Sequence, residues 1–241
     1  MKLLVWFIPL GLLASLLWLL IRKRAYEACP CFFSYVAFAV AADVARFVAL
    51  NYPRPYFATY WITEAGYDLL GILVMYEVLR SVLGNLTRAW WARLIFPAFL
   101  VAGVGMSLAR ANVIPSRLGG IEFYIVIGEI AVRFVQVFVF AGLVTLVPIV
   151  GLRWRQYPFG IATGFGLYAT VMLLTTIKFS DFGTRFKLSW GWTSLVAYSV
   201  AVLIWIWFFS VPEKISTSSR ELSAPSPGVL KQYKDALRRM R

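Results

Sequence analysis

Seven stretches of the chain, at about 3–21, 32–50, 62–84, 91–109, 121–148, 159–177 and 190–210, are almost continuously apolar. Each is close to or above the ~20 residues an α-helix needs to cross the hydrocarbon core of a bilayer. Lipid offers the backbone no hydrogen-bond partner, so such a segment must close its own N–H to C=O bonds as a helix. The expected fold is therefore all-α, a polytopic membrane bundle of seven transmembrane helices. The first run is longer than a signal-peptide core and reaches Arg22, Lys23 and Arg24 without a small-residue cleavage site, so it reads as a retained helix. The fifth is the longest and must tilt or extend past one interface.

Composition agrees with a bilayer location. With 61% hydrophobic residues and a mean hydropathy of +0.74, too little polar surface is available to face water on all sides. Tryptophan and tyrosine collect where the segments end, as in Trp90 with Trp91, Trp154 with Tyr157, Tyr52 with Tyr56, and Trp190 with Trp192. That is the interfacial belt of amphipathic rings. Pro53 and Pro55 break the chain between the second and third segments, and Pro158 does so before the sixth, whereas Pro9, Pro97 and Pro148 fall within or near helix ends.

The formal net charge of +13 would suggest nucleic acid in a soluble protein, but here Lys and Arg lie mostly in short runs between the apolar segments. Topology explains them, and no nucleic-acid partner is expected. With the N-terminus outside, eight basic residues fall in inner loops, seven lie on the outer side and seven more in the C-terminal tail. The asymmetry is sharpest across the first helix, Lys2 against Arg22, Lys23 and Arg24, and favours N-out and C-in; the "KFSDFGTRFK" loop opposes it. The expected location is a multi-pass position in a bacterial inner membrane.

Residues 1–210 thus form the transmembrane domain, 211–228 a Ser/Pro/Gly-rich flexible linker and 229–241 a short basic amphipathic helix. Val229, Leu230, Tyr233, Leu237 and Met240 recur there at helical spacing among Lys and Arg. Such a tail suits anionic lipid headgroups, each basic residue contributing about 1 kcal/mol near the surface. Docking to a cytoplasmic or membrane protein partner is the alternative.

The chain contains no histidine. That removes His-ligated haem or zinc, Ser-His-Asp triads and phosphohistidine chemistry, and no cofactor or metal is expected. Cys29 and Cys31, in "ACPCF", lack C-x-x-C spacing and read as inert juxtamembrane residues, with reversible acylation as the alternative.

The functional signal is charge inside the apolar runs. Ionisable groups at membrane depth cost about 2.5–3.5 kcal/mol each, so they face the bundle interior and need partners. Asp43 and Arg46 lie on the second segment, Glu64, Asp68 and Glu77 on the third, and Glu129 and Arg133 on the fifth. Counted from the expected outer end at 1.5 Å per residue, Arg46, Asp68, Asp43, Glu129 and Arg133 fall between roughly 6 and roughly 18 Å deep, in one half of the membrane. Asp43 with Arg46, and Glu129 with Arg133, have the spacings that bring side chains together on a helix. Glu122, Glu129, Arg133 and Gln136 make a polar stripe that must turn away from lipid. Glu77 and Arg80, three apart, read as a structural ion pair at the inner end, whereas Glu64 and Asp68 need a cation from another helix.

Asp43, Arg46, Glu64, Asp68, Glu129 and Arg133 are therefore the candidate ligand- or ion-binding set, with a formal charge of −2 when fully ionised. A bound proton, water or cationic guest relieves such an excess; the bland alternative is a closed polar network holding helices in register. "GYDLLG" carries the Tyr-Asp pair of intramembrane aspartyl proteases, but the partner Gly-x-Gly-Asp motif is missing, and Lys178 lies too near a helix end to resemble a retinal-linked lysine. Three functions suit the cluster. The first is a receptor-like, sensory or accessory membrane protein binding a small polar or cationic ligand. The second is a small proton- or sodium-coupled transporter, and the third, less favoured, a membrane-embedded acid-base enzyme. Thr163, Gly164, Gly166, Thr170, Thr175, Thr176, Ser194 and Ser199 are expected to serve close helix packing.

Overall fold

The computed structural model describes residues 2–84, 90–110, 120–150, 156–182 and 187–211, all within one compact unit. The linker and the basic tail expected over 211–241 lie outside them beyond Val211, as do the "KFSDFGTRFK" side chains and that of Glu122. The described residues form helices and no strand: α1 (Lys2–Arg22), α2 (Ala25–Ala28), α3 (Pro30–Ala49), α4 (Pro53–Leu83), α5 (Trp90–Ala109), α6 (Ile121–Val150), α7 (Gln156–Phe182) and α8 (Lys187–Ser210).

Local chemistry sets several boundaries. Pro30 and Pro53 stand in the first turns of α3 and α4, where a missing N–H costs no helical bond. Gly84 ends α4 at φ 38°, its N–H bonded to the Arg80 carbonyl. Arg24, at φ 51°, reverses the chain between α1 and α2. Pro9 and Pro97 sit inside α1 and α5, and Pro148 in the last turn of α6.

By length and composition, α3, α6, α7 and α8 each contain a stretch able to cross a membrane, while α1 and α5 carry shorter apolar stretches, Phe7–Arg22 and Arg93–Ala109, among the described residues. The 31-residue α4 is long enough but interrupted by Glu64, Asp68, Glu77 and Arg80. Apolar side chains such as Val48, Ile62, Leu69, Val101 and Trp207 are exposed on the bundle surface, while charged groups are turned inward. That polarity is the inverse of a water-soluble protein and suits lipid.

Neighbouring helices close a ring in the order α1, α3, α4, α6, α7, α8, with α8 returning to α1 and α5 packed outside, chiefly on α6. Inside the ring, at the end where α3 begins, Phe32 packs against Trp205 (ring centres 5.2 Å apart), Phe209 (5.5 Å) and Phe165 (6.4 Å). These rings and Leu13, Leu16 and Leu20 of α1 are fully buried. At Gly164 a Cβ would collide with the Trp205 indole, whose Nε1 donates to the Ile161 carbonyl at 3.3 Å. Thr163, Thr170, Thr175 and Ser199 donate to carbonyls of their own helices, at 2.7–2.9 Å. Small residues on α7 thus let α8 approach, and the hydroxyls close locally. Lys23 Nζ donates to the Ser210 carbonyl at 2.9 Å, joining the end of α1 to the end of α8.

Candidate functional site

The other half of the ring is polar. There, where α3 ends and α4 begins, the helices border an open-sided cavity of about 380 Å³. Asp43 and Arg46 of α3, Glu64 and Asp68 of α4, and Arg133 of α6 all line it. Glu129 is not on the lining but bonds Arg133 from one turn earlier in α6. Helical periodicity accounts for the convergence: Tyr60, Glu64, Tyr67 and Asp68 fall at intervals of four, three and one, which is one face of α4.

The partners differ from those that spacing alone suggests. Arg46 makes no ion pair with Asp43 and instead reaches α4, where its Nη2 donates to Glu64 Oε1 at 2.9 Å. Thr63 Oγ1 accepts from Arg46 Nε at 2.7 Å and from Nη2 at 2.5 Å, while donating to carbonyls one turn back. The guanidinium lies 4.8 Å from the centre of the Tyr60 ring and 5.5 Å from that of Tyr67. With side chains only 14% and 16% exposed, Arg46 and Glu64 form a partly buried pair braced on two aromatic faces.

Arg133 is held more loosely by charge and more closely by a ring. It donates from Nη2 to Glu129 Oε1 and from Nη1 to Gln136 Oε1, both at 3.4 Å, and its guanidinium lies 4.6 Å from the Tyr168 ring centre. The expected pairing of Glu129 with Arg133 is thus formed. Gln136, 1% exposed, completes the inward stripe of α6. Two solvent-inaccessible polar atoms on the lining residues, Arg133 Nε and Tyr198 Oη, have no hydrogen-bond partner among the described residues.

Each arginine takes one glutamate, and the two aspartates are left over. Asp43 and Asp68 both line the cavity, yet neither makes a hydrogen bond or ion pair among the described residues. Asp68 sits against α6, its Oδ2 3.4 Å from where a Cβ on Gly128 would stand, with Glu64, Glu129 and Arg133 as its charged neighbours. Asp43 lies on the opposite flank, where it also borders a small apolar recess with Phe7 and Leu10 of α1 and Val44 and Phe47 of α3.

Glu77 and Arg80, expected to pair, are not ion-paired. The Glu77 carboxylate accepts the backbone N–H groups of Cys31 and Phe32, each at 3.0 Å, and Arg80 is exposed. The first turn of a helix carries N–H groups with no intrahelical acceptor and the positive end of the dipole. A carboxylate poised there gains two charge-assisted bonds, against the small return from an exposed arginine.

Five tyrosines are on the lining, Tyr35, Tyr60, Tyr67, Tyr168 and Tyr198; sequence reasoning noted Tyr67 only in the "GYDLLG" motif and otherwise placed tyrosine at the membrane interfaces. Their signal is position. Tyr67, Tyr168 and Tyr198 fall inside apolar runs rather than at their ends, and Tyr60 and Tyr67 share the face of Glu64. Ser194 and Tyr198 also bring α8 to the site, beyond the three segments that carry the charges. Comparison with protein-family models, with curated proteins and with solved structures finds no match, so the chemistry of the cavity is read from its own residues.

Proposed function

We propose that this chain is a seven-span membrane protein, N-out and C-in, that binds a small organic cation in the cavity between α3, α4, α6 and α8, in a receptor-like, sensory or accessory role. The observation that carries this reading is the pair of aspartates, Asp43 and Asp68, on a cavity wall where both arginines are already committed to glutamates. An ionised carboxylate away from bulk water without a counter-charge is strongly unfavourable, and an ammonium ion supplies that charge where the carboxylate stands. The tyrosine lining supports the same chemistry, because aromatic faces and phenolic oxygens both favour cations.

Binding would work by differential stabilisation. A cation that neutralises Asp43 and Asp68 favours whichever packing of α3, α4 and α6 brings them to the guest, and so biases the ring toward that packing. The test is thermal unfolding of the purified chain in detergent with butylammonium as the probe. The unfolding temperature should rise with probe concentration in the wild type and stay flat in the Asp43→Asn, Asp68→Asn double variant; no rise in either refutes the reading.

Coupled transport is a second reading, favoured by one observation: Asp68 lies in the cavity with no hydrogen bond or ion pair among the described residues. Reconstituted vesicles distinguish the two, since cation flux across the bilayer belongs to a transporter and a binding protein produces none. For topology, single cysteines introduced near Lys2 and Arg241 should label from opposite sides of the membrane.

A further inference from the structure

The charge left on the cavity constrains the guest beyond its sign. Four carboxylates and two arginines belong to the cluster, and the structure pairs them in a definite way: Arg46 with Glu64, Arg133 with Glu129. With both aspartates ionised, a singly charged guest therefore leaves one uncompensated. The two aspartates also stand apart. Asp43 faces the α1 flank, bordering the recess at Phe7 and Leu10. Asp68 packs at Gly128 on the α6 flank.

We infer that the guest is a small linear diamine, with one ammonium group at Asp43 and the other at Asp68, a substrate class that rests on the cation-binding reading above. A metal dication would need its ligands gathered at one point, and no cluster of three or more His, Cys, Asp or Glu side chains converges among the described residues. The diamine's two charges are instead separated by a methylene chain, which suits a lining rich in tyrosine. A second, independent observation comes from the lining itself. Tyr198 Oη is buried on a lining residue without a hydrogen-bond partner among the described residues, so its hydrogen-bonding capacity is unused. At 380 Å³ the cavity lies within the range of about 300–1,000 Å³ usual for small-molecule sites.

The experiment compares 1,4-diaminobutane, butylamine and Mg²⁺ by isothermal titration on the purified full chain in detergent. The diamine should bind roughly tenfold or more tightly than butylamine, the ratio expected of one added charge-assisted contact. Asp43→Asn and Asp68→Asn should each reduce the diamine to the affinity of butylamine, with unfolding temperatures in the absence of amine confirming the fold. Equal affinities of diamine and butylamine in the wild type overturn the two-charge guest while leaving cation binding intact. So does Mg²⁺ displacing the diamine at equal strength. Binding of neither amine overturns both readings. The wild-type comparison alone decides the matter if a variant does not fold.

Discussion

The two halves of α4 carry carboxylates in opposite circumstances. Toward its C-terminal end, Glu77 accepts two backbone N–H groups at 3.0 Å and ties α4 to the first turn of α3. Nine residues earlier, at the middle of the helix, Asp68 lines a cavity and bonds to nothing among the described residues. Both are acids in one helix, the first turned to α3 and the second to α6. What separates a structural acid from a candidate functional one is whether its lone pairs are occupied, and neither hydropathy nor depth reports that. Between these extremes lies Glu64, whose charge is matched by Arg46 within the cavity wall itself.

The contrast predicts a graded response to mutation, measurable as unfolding free energy of the purified chain. Arg46→Met strands Glu64 in a partly buried site and should cost the most, about 3 kcal/mol. Glu77→Ala leaves two N–H groups at the start of α3 without an acceptor and should cost about 2 kcal/mol, with Glu77→Gln recovering part of this by accepting one bond. Gly164→Ala, a test of packing with no charge involved, forces the Trp205 indole to move and should cost about 1–2 kcal/mol. Asp68→Asn removes a charge that has no ion-pair partner among the described residues and should cost under about 0.5 kcal/mol or stabilise the fold. If Asp68→Asn proves as damaging as Glu77→Ala, Asp68 belongs to a closed structural network and the distinction drawn along α4 disappears.

Much of this is visible before folding. Apolar runs at about 20 residues announce helices, and the ionisable residues within them announce where the interior must be polar. Spacing within one helix identified Glu129 with Arg133, because both lie on α6 and four residues bring them together. It misdirected Arg46 toward Asp43 and Glu77 toward Arg80, since the competing acceptors and donors, Glu64 on α4 and the N–H groups of α3, are tertiary neighbours. The tyrosine lining was missed for a related reason. A phenol inside an apolar run satisfies hydropathy as a hydrophobe and shows its polar end only once the ring of helices decides which way it points.

The joint between Lys23 and the Ser210 carbonyl spans nearly the whole transmembrane part of the chain, joining the first long helix to the last. Pro9 of α1 and Ser194 and Tyr198 of α8 stand on the same cavity wall. Because α8 follows α3 and α4 in the chain, Asp43 and Asp68 are synthesised before part of the wall beside them. A chain cut before α8 would lack Ser194 and Tyr198 from that wall.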